Sequence, residues 1–484
     1  MMLRKIIFLG IFITLLGCGS GDLNISTIVE LKNGSIKGVQ EGDLKKYLGI
    51  PYAEPPVGDL RWALAKPAKN WKGMRSADNN SKICFQPKQI ADFYDRVPDL
   101  DNMSEDCLTL NVWTRAKVTH EKLPVMVWFH GGALVWGSGS EYPGNELTEH
   151  GVILVTVNYR LGPFGFFSHP ELSMKNGSSG NQGFSDQIQS LKWVKENIKY
   201  FGGDPNNVTI FGESAGSWSV NVLQASPLAK GLFHKAIAQS GTGLPNVLTD
   251  IREDKGIIVS AESKGIKLAE YFLGANANIE DLRELPALDI VSIDDFQLDQ
   301  DLIMMTNQIV DGYVFPESIK DAFINKNVHD LPFMVGFNGD EGTSLFPLII
   351  DQKTFNLFGE FWPESLWAFV NPDPSSFQGP KGMKDFALSL DDNFYDAATD
   401  FWGFLFFGAP SYFIAKQHSL SGNPTYLYQF DKKPNIPNDY LGATHALELG
   451  YLFNKGGLFG IDGSYDDSDI ELACLLYTSD AADE

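Results

Sequence analysis

A serine flanked by two glycines is the first feature of this sequence that could do chemistry. Residues 209–217 read TIFGESAGS, which places Ser214 at the centre of a G-x-S-x-G motif. On a sharp strand-to-helix turn such a serine presents its hydroxyl as a nucleophile, and the small flanking residues let strand and helix approach closely. In a chain with 47 glycines the pattern can also arise by chance, so its context decides what it means.

A second motif could stabilise the negative charge that attack on a carbonyl creates. Residues 129–140 read FHGGALVWGSGS, an H-G-G loop that follows an apolar run. Beside a G-x-S-x-G serine, backbone N–H groups of such a loop and of the residue after the serine can bind the oxyanion. We therefore predict the N–H groups of Gly132, Ala133 and Ala215 as donors. A glycine-rich loop that serves only tight packing is the alternative interpretation.

A serine nucleophile needs a histidine base and a carboxylate that orients it. For this motif the chain order is serine, then Asp or Glu, then His. The stretch 337–346, FNGDEGTSLF, follows an apolar run and places carboxylates where a strand ends. Of the two histidines after it, His418 ends a helical pattern, where a cation stabilises the helix dipole. His445 lies in a loop that opens onto a helix, and it is the better candidate for the base.

Short apolar runs that alternate with helical patterns must position these residues. The runs cover 123–130, 151–159, 207–212, 234–241, 331–338 and 424–430. Continuous apolar strands between helices predict an α/β protein with a mostly parallel sheet covered on both faces. Between the second and third runs, 182–203 has apolar residues at helical spacing and ends in two glycines. The serine motif thus lies where a strand is followed by a helix.

The composition is that of a globular protein and argues against a nucleic-acid partner. Of the 484 residues, 43% are hydrophobic and 20% charged, and the formal net charge is −23. An acidic chain lacks the basic surface that phosphates require. No ligand cluster with metal-site spacing is evident, so neither a metal nor an organic cofactor is implied. The sequence carries no signal for an oligomeric state.

The beginning of the sequence is typical of an export signal. A basic start precedes the apolar run Ile6–Leu16, which is too short to span a bilayer. Because the run ends in L-L-G-C, we predict a bacterial lipoprotein signal over 1–17, a lipidated Cys18 and a tether over 18–26. The protein would then be attached to a membrane by its lipid, facing the periplasm or the cell exterior. An ordinary secretory signal is the alternative.

The last residues are interpreted as foreign to the protein. The stretch 474–484, CLLYTSDAADE, resembles a translated sequencing adapter, and we treat it as a cloning or assembly scar. The expected folded domain therefore covers 27–473 and is truncated at its C-terminus.

Several blocks of sequence, in a fixed order, make a family resemblance specific. They are 47–62 (YLGIPYAEPPVGDLRW), 104–113 (SEDCLTLNVW), 158–167 (NYRLGPFGFF), 181–198 (NQGFSDQIQSLKWVKENI) and 201–217 (FGGDPNNVTIFGESAGS). From about residue 27 onward the chain resembles the type-B carboxylesterase/lipase family, which includes the cholinesterases. The resemblance implies an α/β-hydrolase fold, with a central mostly parallel sheet and helices on both faces.

The resemblance also implies a catalytic triad. The family's acid is the Glu directly before Gly in a D-E-G pattern, so the triad corresponds to Ser214, Glu341 and His445. The family often has a third glycine in its H-G-G-G loop, where this chain has Ala133, a variant that keeps the N–H group.

Further residues acquire expected roles only through the resemblance. Glu213 corresponds to an acid that tunes the site electrostatically, and Ser240, in AQSG, to a serine buried near the triad. A disulfide between Cys84 and Cys107 is implied. No tryptophan lies between these two cysteines, so the choline-stacking tryptophan of the cholinesterases has no counterpart there.

We therefore expect a serine carboxylesterase that hydrolyses hydrophobic carboxylic esters, as small-molecule substrates, through an acyl-enzyme. The aromatic-rich stretch 394–413 is interpreted as a buried helix, part of which could instead line an apolar substrate pocket. Two other functions are weighed. One is a hydrolase of amides, lactones or thioesters that uses the same site. The other is a non-catalytic adhesion protein on the same scaffold, which the complete triad disfavours.

Overall fold

The computed structural model describes nine segments of the chain. They are residues 25–87, 101–244, 249–254, 259–291, 309–357, 362–370, 381–391, 393–433 and 441–453. The predicted export signal, Cys18 and the stretch 474–484 lie outside the described residues. Among the described residues, no helix combines the length and the apolar character needed to cross a membrane.

Fourteen strands form within the described segments. They are β1 Ile28–Leu31, β2 Gly34–Lys37, β3 Val39–Glu41, β4 Leu44–Pro51, β5 Met74–Ser76, β6 Thr109–Thr114, β7 Leu123–Phe129, β8 Ile153–Val157, β9 Gly203–Glu213, β10 Lys235–Gln239, β11 Thr249–Asp250, β12 Ile309–Val310, β13 Phe333–Asn338 and β14 Thr425–Phe430. The six predicted apolar runs correspond to β7, β8, β9, β10, β13 and β14. The first five lie inside the sheet, whereas β14 is its edge strand and is largely accessible to solvent.

Helices connect and cover these strands. The α-helices are α1 Gly162–Gly165, α2 Pro170–Asn176, α3 Gln182–Asn197, α4 Ala215–Ala225, α5 Ala261–Leu273, α6 Ile279–Arg283, α7 Ala287–Val291, α8 Ile319–Ile324, α9 Gly342–Ile349, α10 Gln352–Phe355, α11 Trp362–Val370, α12 Met383–Ala387, α13 Phe394–Gly403, α14 Ala409–Ser419 and α15 Glu448–Leu452. A π-helical turn, Phe404–Gly408, joins α13 to α14. The predicted helix over 182–203 is α3 followed by a 3-10 turn, Ile198–Phe201, and β9 begins at Gly203.

One nine-stranded sheet organises the protein, in the order β14-β13-β10-β9-β7-β8-β6-β4-β3. The six strands from β14 to β8 are mutually parallel, and β6, β4 and β3 continue the sheet antiparallel. A three-stranded sheet (β1-β2-β5) and a two-stranded one (β11-β12) lie outside it. The predicted α/β-hydrolase fold is confirmed.

Alternating side chains of the central strands enter two different apolar clusters, which shows that both faces of the sheet are covered. Val127 of β7 and Ile210 of β9 join the large cluster that contains α3 and α4 side chains. Their neighbours Trp128 and Phe211 join a second cluster with residues of α15. All four are essentially inaccessible to solvent. Because successive side chains of a strand point to opposite faces, a doubly covered sheet needs apolar residues without alternation.

The parallel strands bring the predicted site residues to one edge. The H-G-G loop follows β7, Ser214 follows β9, Ser240 follows β10 and Glu341 comes shortly after β13. The loop that carries His445 follows β14. These five strands are consecutive in the sheet, and in open parallel sheets such carboxyl-end loops build the binding crevice.

Candidate active site

Ser214 occupies a sharp turn between β9 and α4. Its backbone has φ 56° and ψ −120°, a conformation that few non-glycine residues adopt. The turn is held by its neighbours: the Ser214 N–H donates to the carbonyl of Gln239 at 2.9 Å. At Gly216 a Cβ would lie 2.0 Å from the carbonyl oxygen of Phe129 on β7. The glycine of the motif is therefore required by the close approach of helix to strand.

The H-G-G loop packs against this turn. A Cβ on Gly131 would lie 3.2 Å from the Cβ of Ser214, and both Gly132 (φ 99°) and Ala133 (φ 54°) have left-handed backbone conformations. Within the segments that the structure describes, the N–H groups of Gly132, Ala133 and Ala215 donate to no protein acceptor. Gly132 and Ala133 are at least partly accessible to solvent, and Ala215 is the first residue of α4, so all three N–H groups are free to bind an oxyanion.

Glu341 and His445 meet although they are 104 residues apart in the chain. The Nδ1 atom of His445 lies 2.6 Å from Glu341 Oε2, and both side chains are buried. The other carboxylate oxygen of Glu341 accepts the N–H of Asn338 at 2.8 Å. This arrangement fixes the carboxylate and makes Nδ1 the protonated nitrogen of the ring, which leaves Nε2 available as a base.

A hydrogen-bonded bracket joins the acid's loop to the histidine's loop. The Asp340 N–H donates to the carbonyl of Ala443 at 3.0 Å, and the Ala443 N–H donates to Asp340 Oδ2 at 2.7 Å. The Thr343 hydroxyl donates to the Asp340 carbonyl and lies 2.9 Å from the hydroxyl of Thr444. Asp340, the first carboxylate of D-E-G, thus links the loop of Glu341 to the loop of His445.

The free nitrogen of His445 lies against Glu213 rather than Ser214. His445 Nε2 is 3.0 Å from Glu213 Oε1, and this contact lacks the alignment of a hydrogen bond. The Ser214 hydroxyl forms no hydrogen bond with any residue that the structure describes. Because Glu213 directly precedes Ser214, the imidazole lies beside the turn that carries the serine. In hydrolases without substrate the serine–histidine bond is often long and tightens only when substrate binds.

A third buried carboxylate near the pair, which the sequence reasoning missed, belongs to Glu448. Glu448 accepts the side-chain N–H of Asn338 at 2.6 Å and that of Gln239 at 3.4 Å. It is 3% exposed. No local signal marked it, because α15 begins only at Glu448 and His445 lies in the turn before it, where Ala446 has a left-handed backbone (φ 61°).

Burial and mutual charge shift the pKa values of this cluster. Burial lowers the pKa of His445, but the negative charges of Glu213 and Glu341 and the hydrogen bond to Glu341 outweigh it and raise the pKa to about 9. Burial and repulsion by Glu341 raise the pKa of Glu448 to about 7. Burial raises the pKa of Glu213 well above its usual range, although His445 opposes the shift. Glu213 and His445 therefore titrate as a coupled pair, in which each group stabilises the charged form of the other.

Ser240 lies directly beside the serine turn. It follows β10 with φ 50°, its N–H donates to the Gly336 carbonyl at 2.9 Å, and it is fully buried. Its hydroxyl has no partner among the described residues. A Cβ on the next residue, Gly241, would lie 2.5 Å from the Ser214 carbonyl oxygen. Ser240 therefore supports the turn from the neighbouring strand.

His418 lies outside the site, in the last turn of α14, as the sequence pattern predicts. The prediction that its side chain is a cation at the helix end is wrong. The side chain is instead fully buried against Phe333 and accepts or donates a 2.7 Å hydrogen bond at Thr425. Burial lowers the pKa of His418 to about 4, so the ring is neutral at pH 7. It fills the core between α14 and the edge of the sheet.

Two structural features lie away from the triad. Cys84 and Cys107 form a disulfide, as the resemblance implies. A buried ion pair that the sequence reasoning missed joins Arg160 to Asp186, with Nη2 to Oδ1 at 2.7 Å. Among the described residues, no group of three or more His, Cys, Asp or Glu side chains is arranged to hold a metal ion.

Comparison with known proteins defines the class of this one. The model of the carboxylesterase family matches residues 25–478. The chain is 35% identical over 449 residues to mouse (Mus musculus) carboxylesterase 1D, covering 87% of this chain and 77% of that protein. It is 33% identical over 456 residues to a medium-chain fatty acyl-CoA hydrolase precursor of the duck Anas platyrhynchos, covering 88% and 79%.

A solved structure supports the same assignment. That of a PNB esterase superposes with a TM-score of 0.78 at 32% identity, covering 93% of this chain and 89% of that one. The chain belongs to the carboxylesterase family. Its class of activity is the hydrolysis of carboxylic esters.

Proposed function

We propose that the protein is a serine carboxylesterase with Ser214 as nucleophile, His445 as general base and Glu341 as the acid that orients it. The observation that carries the proposal is the meeting of three distant segments at the carboxyl edge of the sheet. The buried Glu341–His445 pair, with 2.6 Å between Oε2 and Nδ1, lies beside the turn that presents Ser214. A nucleophile, a base and an orienting acid in this order form the machinery of acyl transfer.

The reaction follows from these positions. His445 Nε2 takes the proton of Ser214 as the serine oxygen attacks the ester carbonyl. The N–H groups of Gly132, Ala133 and Ala215 receive the developing oxyanion, for which they have no competing acceptor in the described structure. His445 then protonates the leaving alcohol, and a water molecule repeats the sequence on the acyl-enzyme.

The surroundings of the base favour an uncharged, apolar ester. Phe407 packs on the His445 ring, and it belongs to an aromatic cluster with Trp402 and Phe401. An anionic group placed there would lose its hydration beside the buried carboxylates of Glu213 and Glu341, which is costly. We therefore assign hydrophobic carboxylic esters as the substrate class.

A thioester hydrolase is the second candidate. One relative is named a fatty acyl-CoA hydrolase, and an acyl-CoA is a thioester. The same nucleophile and oxyanion donors would serve both substrates, because the two reactions share a tetrahedral intermediate. A non-catalytic adhesion role is disfavoured because the chain keeps a serine, a glutamate and a histidine at all three positions of the triad.

We also propose that the protein is exported and held at a membrane by a lipid on Cys18. The support is the sequence alone, namely a basic start, a short apolar run and L-L-G-C. Mass spectrometry of the N-terminal peptide tests this. A diacylglyceryl mass on Cys18 is expected, and an unmodified Cys18 or cleavage elsewhere would contradict the proposal.

Hydrolysis of nitrophenyl esters tests the activity. We expect the wild-type chain to hydrolyse nitrophenyl acetate and longer acyl esters, and Ser214→Ala to reduce the rate to background. Ser217→Ala is the matched control, because Ser217 lies on the same helix and is fully buried. Equal background rates for wild type and Ser214→Ala would contradict the proposed function. Acyl-CoA substrates assayed alongside would show whether the thioester is preferred.

A further inference from the structure

The aromatic-rich stretch 394–413 forms a helix with an irregular turn in its middle. Helix α13 ends at Gly403, the π-helical turn covers Phe404–Gly408, and α14 continues from Ala409. A π turn holds one more residue than an α turn and so changes which side chains face inward. Such turns occur frequently at functional sites.

The first half of this helix packs directly on the catalytic acid. A Cβ on Gly342, the residue after Glu341, would lie 2.0 Å from the carbonyl oxygen of Thr399. A Cβ on Gly403 would lie 3.0 Å from the Gly342 nitrogen and 3.3 Å from the Glu341 Cβ. The π turn therefore begins where the helix touches the acid's backbone, and its position relative to Glu341 is fixed.

The turn then places one of its phenylalanines on the base. The rings of Phe407 and His445 have centroids 4.9 Å apart and planes inclined by 46°. Phe407 is 8% exposed, whereas Phe404, in the same turn, is 44% exposed. Trp402 in turn packs on Phe407, with ring centroids 5.7 Å apart. Within one turn, the ring of Phe404 thus lies largely in solvent and the ring of Phe407 lies on His445.

We propose that Phe407 is a positioning residue that holds the His445 imidazole in its catalytic orientation. The hydrogen bond from Nδ1 to Glu341 and the 3.0 Å contact of Nε2 with Glu213 hold the two nitrogens of the imidazole, but the ring can still swing about the line that joins them. Contact with a supported aromatic ring limits this swing and keeps water from one side of the imidazole. The inference rests on the proposed function, since it concerns the base of that reaction.

Truncation of Phe407 tests the proposal against a matched truncation in the same turn. We expect Phe407→Ala to lower kcat for a nitrophenyl ester by about 10- to 100-fold, because small misplacements of a catalytic group have effects of this size. KM should change by less than about threefold. Phe407→Leu, which keeps most of the volume, should recover most of kcat. Phe404→Ala should stay within about twofold of wild type, because its ring lies largely in solvent.

A spectroscopic measurement separates positioning from general stability. We expect the proton in the 2.6 Å contact between His445 and Glu341 to give a far-downfield NMR resonance. Phe407→Ala should broaden this resonance by faster exchange, and Phe404→Ala should leave it sharp. If Phe407→Ala does not fold, Phe407→Val replaces it in both measurements. An unchanged kcat with a sharp resonance, or equal losses in the Phe404 variant, would overturn the proposal. If wild type itself shows no Ser214-dependent hydrolysis, the proposed function fails, and the resonance still tests the contact.

Discussion

The charge of Glu213 beside the catalytic histidine gives a prediction that can be worked from one distance. Its Oε1 lies 3.0 Å from His445 Nε2, and both groups are buried. An anion there stabilises the imidazolium and so raises the pKa of the base. Glu213→Gln keeps the shape of the side chain and removes the charge. The base should then lose its proton at lower pH.

The size of the shift follows from Coulomb's law. Two unit charges at this separation attract by about 1 kcal/mol in a medium of water-like dielectric and about 6 kcal/mol at an effective dielectric constant near 20. One pKa unit corresponds to about 1.4 kcal/mol. We therefore expect the pKa of the base to fall by between about one and four units from its wild-type value of about 9. Because a general base acts when neutral, the acid limb of the profile moves to lower pH.

The assay is kcat/KM for a nitrophenyl ester as a function of pH, with the Ser214→Ala rate subtracted as background. Glu196→Gln is the control, because it makes the same chemical change at a side chain that is 48% exposed. We expect the control profile to superpose on that of wild type. An acid limb that does not move in Glu213→Gln would refute the reasoning, because it would mean that Glu213 is uncharged throughout the titration.

Three further tests concern the stability of the fold and the bracket between the two loops of the site. Asp186→Ala should lower the free energy of unfolding by about 3–5 kcal/mol in urea denaturation, because it leaves the buried Arg160 charge without its partner; a loss below about 1 kcal/mol would contradict this. Replacing Cys84 and Cys107 together by serine should cost about 3 kcal/mol, given their sequence separation of 23, and an unchanged thermal midpoint would count against it. Asp340→Ala should lower kcat more than Asp340→Asn, which keeps a side-chain oxygen as acceptor, and equal kcat values for both would show that the bracket does not position the histidine.

The fold could be predicted from sequence because its signals are local. The runs at β7, β8, β9, β10 and β13 are apolar without alternation, which only a doubly covered parallel sheet explains. The strand ends differ from prediction by a few residues, as they do for β9, which begins at Gly203 rather than residue 207. That difference depends on pairing with β7, which no local pattern records.

The candidate site could be predicted in part. Ser214 and His445 were identified from motif and chain order and Glu341 from the family resemblance, and the structure brings the acid and the base together. Asp340 and Glu448 were not given their roles, because each acts through contacts with residues more than 100 positions away. Whether a carboxylate binds a backbone amide or an asparagine depends on loop packing, which one sequence does not reveal.

The aromatic stretch shows the same limit. Its composition predicts a buried helix, yet exposed and buried rings occur within one turn of it. The π turn shifts the inward face by one residue, and the choice of Phe407 over Phe404 as the residue on His445 depends on that shift. The periodicity of a regular helix therefore does not predict which of Phe404 and Phe407 lies on His445.

The central claim is that Ser214 is the nucleophile, and mass spectrometry of a trapped adduct tests it most directly. The protein would be treated with an alkyl fluorophosphonate, digested and analysed for the modified peptide, with Ser214→Ala as the control. The account predicts one adduct per chain, located on Ser214, with loss of esterase activity in proportion to labelling and no adduct in the variant. Modification at another residue, or esterase activity that persists in a fully labelled protein, would contradict it.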